Sequence, residues 1–209
     1  RVLFRSPGPN EVEIELAAGW YAGRVSWLDE VWGDTPSLLA EIVVTTPSTE
    51  VRVVTDLAWS ARPSRRWWAD LVMGEAIDLR GERAEPVPVV EVDPPAAPLV
   101  AHPGPLVTAV TELEPVDVNL LDTGEWLVDF GQNHAGRVRL EVPAAPHAPV
   151  SPVVLRHAEV LDRDGRPYYD NLRTAAATDV VLPADTTTTV EPEFTTHGYR
   201  YVAVSGLAE

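Results

Sequence analysis

A chain of 209 residues, 45% of them apolar, is long enough to bury one large core or two small ones. Its 32 acidic against 16 basic side chains give a formal net charge of −16, a balance that repels phosphate backbones and disfavours nucleic-acid binding. The absence of cysteine excludes disulfides, thiolate metal sites and cysteine nucleophiles, and leaves the compartment, cytoplasmic or secreted, open; no apolar run reaches the ~18 residues of a membrane span.

Residues 1–6, RVLFRS, are what the codons CGT GTG CTC TTC CGA TCT encode, the end of a common sequencing adapter. They are taken as an artefact rather than a short edge strand and set aside. Residues 11–18 (EVEIELAA) alternate Val12, Ile14 and Leu16 and predict a strand. Segments 38–46 (LLAEIVVTT) and 50–56 (EVRVVTD), separated by PST, predict a hairpin. Residues 85–105 are proline-rich; such a stretch is stiff, stays out of sheet interiors and makes a linker. Six of the seven tryptophans precede it. Beyond it, strands are predicted at 106–113, 125–130, 136–142, 152–160, 178–182 and 199–206. In DRDGRPYYDN, Asp164-Gly165 marks a hairpin turn; a calcium loop would need a closing glutamate. Helical periodicity is nearly absent. The pattern predicts an all-β chain of two consecutive β-sandwich, jelly-roll-like domains, 7–84 and 106–209, joined by the linker 85–105.

His102, His134, His147, His157 and His197 show no HxH or HExxH spacing, so no metal site is expected. Neither a GxSxG elbow nor a phosphate loop is present. Glu75, Asp78, Asp129, Glu159 and Glu193 are candidate catalytic acids, since glycosidases pair carboxylates; among 32 acids accidental pairs are common, and each is assigned a structural or solvated role. GWYAGRVSW and RRWWAD offer a sugar platform: rings of Trp20, Tyr21, Trp67 and Trp68 to stack on sugar C–H faces, with Asp70 and Glu75 for hydroxyls. The same tryptophans suit a sandwich core, and that is the expectation for most of them.

The stretch DFGQNHAGRVRLEV, residues 129–142, sets an acid, an aromatic, a glycine and two amides before an alternating run. Gly131 suits a tight turn, Gln132 and Asn133 suit bonds to backbone groups, and Asp129 is placed to pair with Arg173 or Arg200. The expected role is to lock the start of a strand and dock the sandwich against a neighbouring domain, with a sugar contact as the second reading.

GWYAGRVSW followed by VTDLAWSARPSRRWWADLVMGEAIDLR resembles the N-terminal β-sandwich of bacterial α-L-rhamnosidases, glycoside hydrolase family 78, in which WY.G is followed by TD..W and GE.YDAR. Trp59 and Gly74-Glu75 keep that spacing, and Asp78 and Arg80 fall on the family's Asp and Arg. DFGQNHAGRVRLEV, LRHAEVL, YYDNLRTAAATD and PEFTTHGYRYVAVSG, in order, resemble the concanavalin-like domain that precedes the catalytic barrel. They carry the residues assigned to structure and docking: Asp129, Gly131, Gln132, Asn133, Glu159, Arg173, His197 and Arg200. The resemblance covers nearly the whole chain after Ser6.

This resemblance implies an enzyme that removes terminal α-L-rhamnose with inversion, using two glutamates on an (α/α)6 barrel that would begin after Glu209. This chain would then be an accessory portion without catalytic residues, its first sandwich lacking its first strands. Its partners would be rhamnosides and the downstream catalytic domain, with neither nucleic acid nor membrane. Some relatives hold calcium and rhamnose on the first sandwich. Here Ala18 stands where a polar residue often precedes GWY, and Ser64-Arg65 stands where GP follows the tryptophan, so no calcium and no other cofactor is expected. The alternative is a stand-alone carbohydrate-binding module, distinguished by whether several hundred residues of helical pattern follow Glu209.

Overall fold

A computed structural model describes residues 11–94, 98–145 and 151–207. The expectation for residues 1–6 lies outside the described residues. Residues 11–18 do not form the strand that their alternation predicts. A strand needs a neighbour for its N–H and C=O groups, and among the described residues no strand pairs with this segment. Its acids reach basic side chains instead, Glu13 bonding Arg62 and Arg83 and Glu15 bonding Arg66. One helical turn follows, α1 (Gly19–Ala22).

The predicted hairpin forms as β1 (Glu41–Thr45) and β2 (Glu50–Val54), antiparallel with Val43 opposite Arg52. Next come β3 (Ser60–Ala61), β4 (Arg66–Asp70), β5 (Gly74–Asp78) and β6 (Val87–Pro88), the last pairing back onto β3. The strand predicted at 106–113 is irregular, with Leu106, Val107 and Val110 exposed and covered by no second layer among the described residues. Pairing resumes at β7 (Asp117–Leu120), β8 (Trp126–Gly136) and β9 (Leu140–Val142). The remaining strands are β10 (Val153–Ala158), β11 (Val160–Leu161), β12 (Pro167–Tyr168), β13 (Thr178–Leu182), β14 (Thr188–Val190) and β15 (His197–Ser205). The predicted turn at Asp164-Gly165 closes β11 onto β12, with Gly165 at φ +77°. No helix among the described residues is long and apolar enough to cross a membrane.

One seven-stranded sheet organises the fold, in the order β4-β5-β13-β10-β15-β8-β7. The hairpin β4–β5, from before the proline-rich stretch, forms one side of a sheet whose other five strands come after it. The join is the parallel pair β5–β13, with Ala76 opposite Val180; the other neighbours are antiparallel. Period-two alternation turns Val153 and Leu155 of β10, Val181 of β13 and Val202 and Val204 of β15 inward. The ribbon β9–β14 contributes Val142 and Val190 to the same core, so the architecture is an all-β sandwich. Each such buried Val or Leu stabilises the fold by about 1.5–3 kcal/mol.

Apart from Trp126, which packs against its edge, the tryptophans do not fill this core. Trp20, Trp27, Trp32, Trp67 and Trp68 are 39–66% exposed, and Trp59 and Trp126 are half-buried. The reason is geometric. The buried face is furnished by β-branched and aliphatic residues of the later strands, while the tryptophan-rich segments lie where no second layer covers them among the described residues.

Candidate functional site: a buried polar layer between the two halves

The alternation that buries Val153 and Leu155 also buries His157, and on the neighbouring strands it buries Asp179, His197 and Tyr199. These side chains make a polar end to the apolar face. Glu75 of β5 joins them. Gly74, at φ +125°, brings β5 so close to β13 that a Cβ would lie 1.9 Å from the Thr178 carbonyl oxygen. The Glu75 N–H donates to Asp179 Oδ1 at 2.9 Å.

Glu75 is 3% exposed and its carboxylate is fully engaged. Oε1 accepts from Arg66 Nε at 2.7 Å, and Oε2 accepts from the Glu193 and Phe194 N–H groups at 2.9 and 3.0 Å. Arg66 also bonds Glu193 at 2.8 Å and Glu15 at 3.1 Å. The buried Thr195 hydroxyl donates to the Leu71 carbonyl at 3.3 Å. The loop before β15 is therefore fastened to the β4–β5 hairpin by charge-assisted bonds, the stronger class of hydrogen bond.

His157 is wholly buried. Its Nδ1 lies 2.9 Å from the Ala177 carbonyl oxygen, which fixes the proton on Nδ1 and leaves a lone pair on Nε2. Burial, reinforced by the neighbouring His197, pushes the imidazole down to about 4, so the ring is neutral at neutral pH. That Nε2 faces Asp179 Oδ2 at 3.8 Å, and neither atom has a hydrogen-bond partner among the described residues. Asp179 Oδ1 lies 3.2 Å from His197 Nε2. Tyr199 packs edge-on against His157 at 4.8 Å, and burial pushes its phenol up to about 12.

DFGQN lies inside β8 rather than at the start of a strand. Tyr199 is opposite His134 and Tyr201 opposite Asp129, so residues 130–133 bulge opposite Arg200 alone. Asp129 takes the Arg200 guanidinium on both oxygens at 2.8 Å and accepts the Gly131 N–H at 2.6 Å. These contacts hold its carboxyl below the usual carboxylate range, the Arg200 bond foremost. Gly131 has φ +77°, as a tight turn requires. Gln132 and Asn133 do not bond backbone groups with their amides: both are exposed, with no side-chain partner among the described residues, because the bulge pushes them into solvent. Arg173 is exposed and does not meet Asp129, while Glu159 accepts from Asn171 at 2.9 Å, tying two of the quoted motifs together.

The five candidate acids are all held. Asp78 pairs with Arg80 at 2.8 Å, Glu193 with Arg66, and Glu75, Asp129 and Glu159 as above. Of the sugar candidates, Trp20, Tyr21, Trp67 and Trp68 present exposed rings, whereas Asp70 is buried. Asp70 accepts from the Arg24, Val72 and Met73 N–H groups at 2.6, 2.8 and 2.9 Å, fastening the segment after α1 to the β4–β5 turn. Sequence reasoning did not single out Arg66, His157 or Asp179. The period-two spacing of His157 from Val153 and Leu155 was the available signal.

Two family models match in order: the α-L-rhamnosidase N-terminal domain over residues 3–107 and the bacterial α-L-rhamnosidase concanavalin-like domain over residues 119–209. The chain belongs to the bacterial α-L-rhamnosidase family. An α-L-rhamnosidase of Streptomyces avermitilis is 37% identical over 96% of this chain and 21% of its own length, and one of Formosa agariphila is 30% identical over 96% and 23%. The structure of the Streptomyces avermitilis α-L-rhamnosidase complexed with L-rhamnose superposes with a TM-score of 0.83 at 36% identity, covering 91% of this chain and 20% of that one. The native α-L-rhamnosidase of Aspergillus terreus superposes at 0.78 with 29% identity, covering 90% and 23%. This chain thus spans about a fifth of the length of the α-L-rhamnosidases it matches, within the N-terminal and concanavalin-like domains.

Proposed function

We propose that this chain is the accessory, non-catalytic portion of an inverting α-L-rhamnosidase that releases terminal α-L-rhamnose from glycosides or polysaccharides, with the catalytic barrel elsewhere in the parent protein. The ordered match of the two rhamnosidase domain models along the chain carries this reading. The engagement of both carboxylate oxygens of Glu75, Asp78 and Asp129 supports it, since a general acid and base need carboxyl oxygens free to face substrate and water.

Residues 85–105 are the covalent linker between the two domains, while the β4–β5 hairpin joins the sheet of the second. The exposed amides of Gln132 and Asn133 serve as a docking point for the barrel. The exposed rings of Trp20, Tyr21, Trp67 and Trp68 supply a calcium-independent face for sugar.

The chain alone should not turn over an aryl α-L-rhamnoside, whereas the chain fused to the rest of a homologous α-L-rhamnosidase should. Turnover by the isolated chain that one carboxylate substitution abolishes would overturn the accessory reading. L-rhamnose should quench tryptophan fluorescence in the chain, and Trp67→Ala with Trp68→Ala should remove the response.

A further inference from the structure

We propose that His157, Asp179 and His197 form a buried site for a divalent transition-metal ion, Zn2+ by its donor set, linking β10, β13 and β15. One ligand atom from each residue lies within 4.8 Å of the other two. Around zinc with bonds of ~2.0–2.1 Å, tetrahedral ligands stand ~3.3 Å apart. Here His197 Nε2 stands 3.2 Å from Asp179 Oδ1, and His157 Nε2 stands 3.8 Å from Asp179 Oδ2. Asp179 thus faces one imidazole through each oxygen, and a water molecule would supply the fourth ligand.

The orphaned atoms point to a cation. His157 Nε2 and Asp179 Oδ2, both in side chains more than nine-tenths buried, face each other as two acceptors with no donor between them. Buried acceptors are almost always satisfied. A metal ion satisfies both at once. The surroundings match those of bound metals too. Ligating histidines donate their other ring N–H to a carbonyl or carboxylate, and His157 Nδ1 has Ala177 O at 2.9 Å. The carboxylate is oriented in turn by the Glu75 N–H. Two imidazoles and one carboxylate suit zinc, cobalt or nickel, whereas calcium asks for six or more oxygens. The ligands sit on separate strands 18 to 40 positions apart, which is why no HxH or HExxH spacing announces them.

The test uses the 209-residue chain, unfolded with chelator and refolded with or without ZnCl2. The expected result is about one zinc per chain retained through gel filtration, with a higher Tm than the zinc-free chain. Refolding with Co2+ should give the visible d–d absorption of a four-coordinate site. His157→Leu and Asp179→Asn should each lose the metal. If a variant fails to fold, the cobalt spectrum and metal content of the wild-type chain decide. No stoichiometric zinc and an unchanged Tm would overturn the proposal, as would zinc retained by folded His157→Leu/His197→Leu.

Discussion

Replacing Glu75 by glutamine tests whether the two halves of the chain are held together by the buried carboxylate. Glutamine keeps the shape but exchanges one acceptor for an NH2 donor. With its oxygen on the Glu193 and Phe194 N–H groups, the NH2 points at Arg66 Nε; flipped, it points at the two N–H groups. Either way at least one charge-assisted bond is lost, worth about 1.5–3 kcal/mol. Arg66 keeps Glu193 and Glu15, so its charge is not stranded, and the loss stays below the about 3–5 kcal/mol of breaking an isolated buried pair. The expected destabilisation is about 2–3 kcal/mol for Glu75→Gln, and about 4 kcal/mol for Glu75→Ala, which orphans the backbone donors as well. Urea unfolding at pH 7 should show the midpoint falling with an unchanged slope. A double-mutant cycle with Arg66→Met should recover a coupling of about 1–2 kcal/mol. A Glu75→Gln chain within about 0.5 kcal/mol of wild type would refute the fastening role. If that unchanged stability came with lost L-rhamnose binding, Glu75 would return to the sugar face.

Gly74→Ala should prevent the β5–β13 join, since its Cβ would collide with Thr178 O at 1.9 Å and its φ is +125°; circular dichroism should show a loss of several kcal/mol or no cooperative fold, and a wild-type melting curve would contradict this. Gly131→Ala should cost about 1 kcal/mol through its positive φ, while Asn133→Ala, exposed and unpartnered, should stay within about 0.5 kcal/mol; equal effects would argue against the bulge. Asp129 is depressed in the folded state, so at low pH the unfolded chain binds the proton more readily. Its contribution is present above the unfolded value of about 3.9 and is lost as pH falls through the folded pKa. Urea midpoints from pH 6 to pH 2.5 should therefore fall more steeply for wild type than for Arg200→Gln; coincident curves would remove the pair from the acid response.

Strands β10 and β13 were legible because each alternates against a buried face: TDVVL became β13 without a shifted boundary, and the strand predicted at 199–206 became β15, His197–Ser205, whereas β7, exposed along its length, was not predicted. The failures share a cause. Residues 11–18 alternate and residues 106–113 are rich in Val, Thr and Leu, but such patterns report a preference for a half-buried surface, and a strand also needs a partner that local sequence does not name. The same blindness hid the site. His157 and Asp179 are 22 positions apart and Glu75 and Asp179 are 104 apart, so only the sheet order brings them together. Asp129 and Gly131 were readable because their partners, Arg200 and their own backbone, follow from motif and turn chemistry. Gln132 and Asn133 were misread because a bulge reverses which side of a strand faces water.

The parallel pairing of β5 with β13 also sets an order of events during synthesis. The β4–β5 hairpin leaves the ribosome with the outer edge of β5 unpaired, and its partner strand lies about a hundred residues downstream, since Glu75 and Asp179 are 104 positions apart. At roughly 5–20 residues per second, that edge waits on the order of 5–20 s for β13. Closing so distant a contact is slow, and an open strand edge is a template for pairing with other chains. The nascent first half is therefore a stage at which this edge is open to misassembly, and the arrival of β13 covers it.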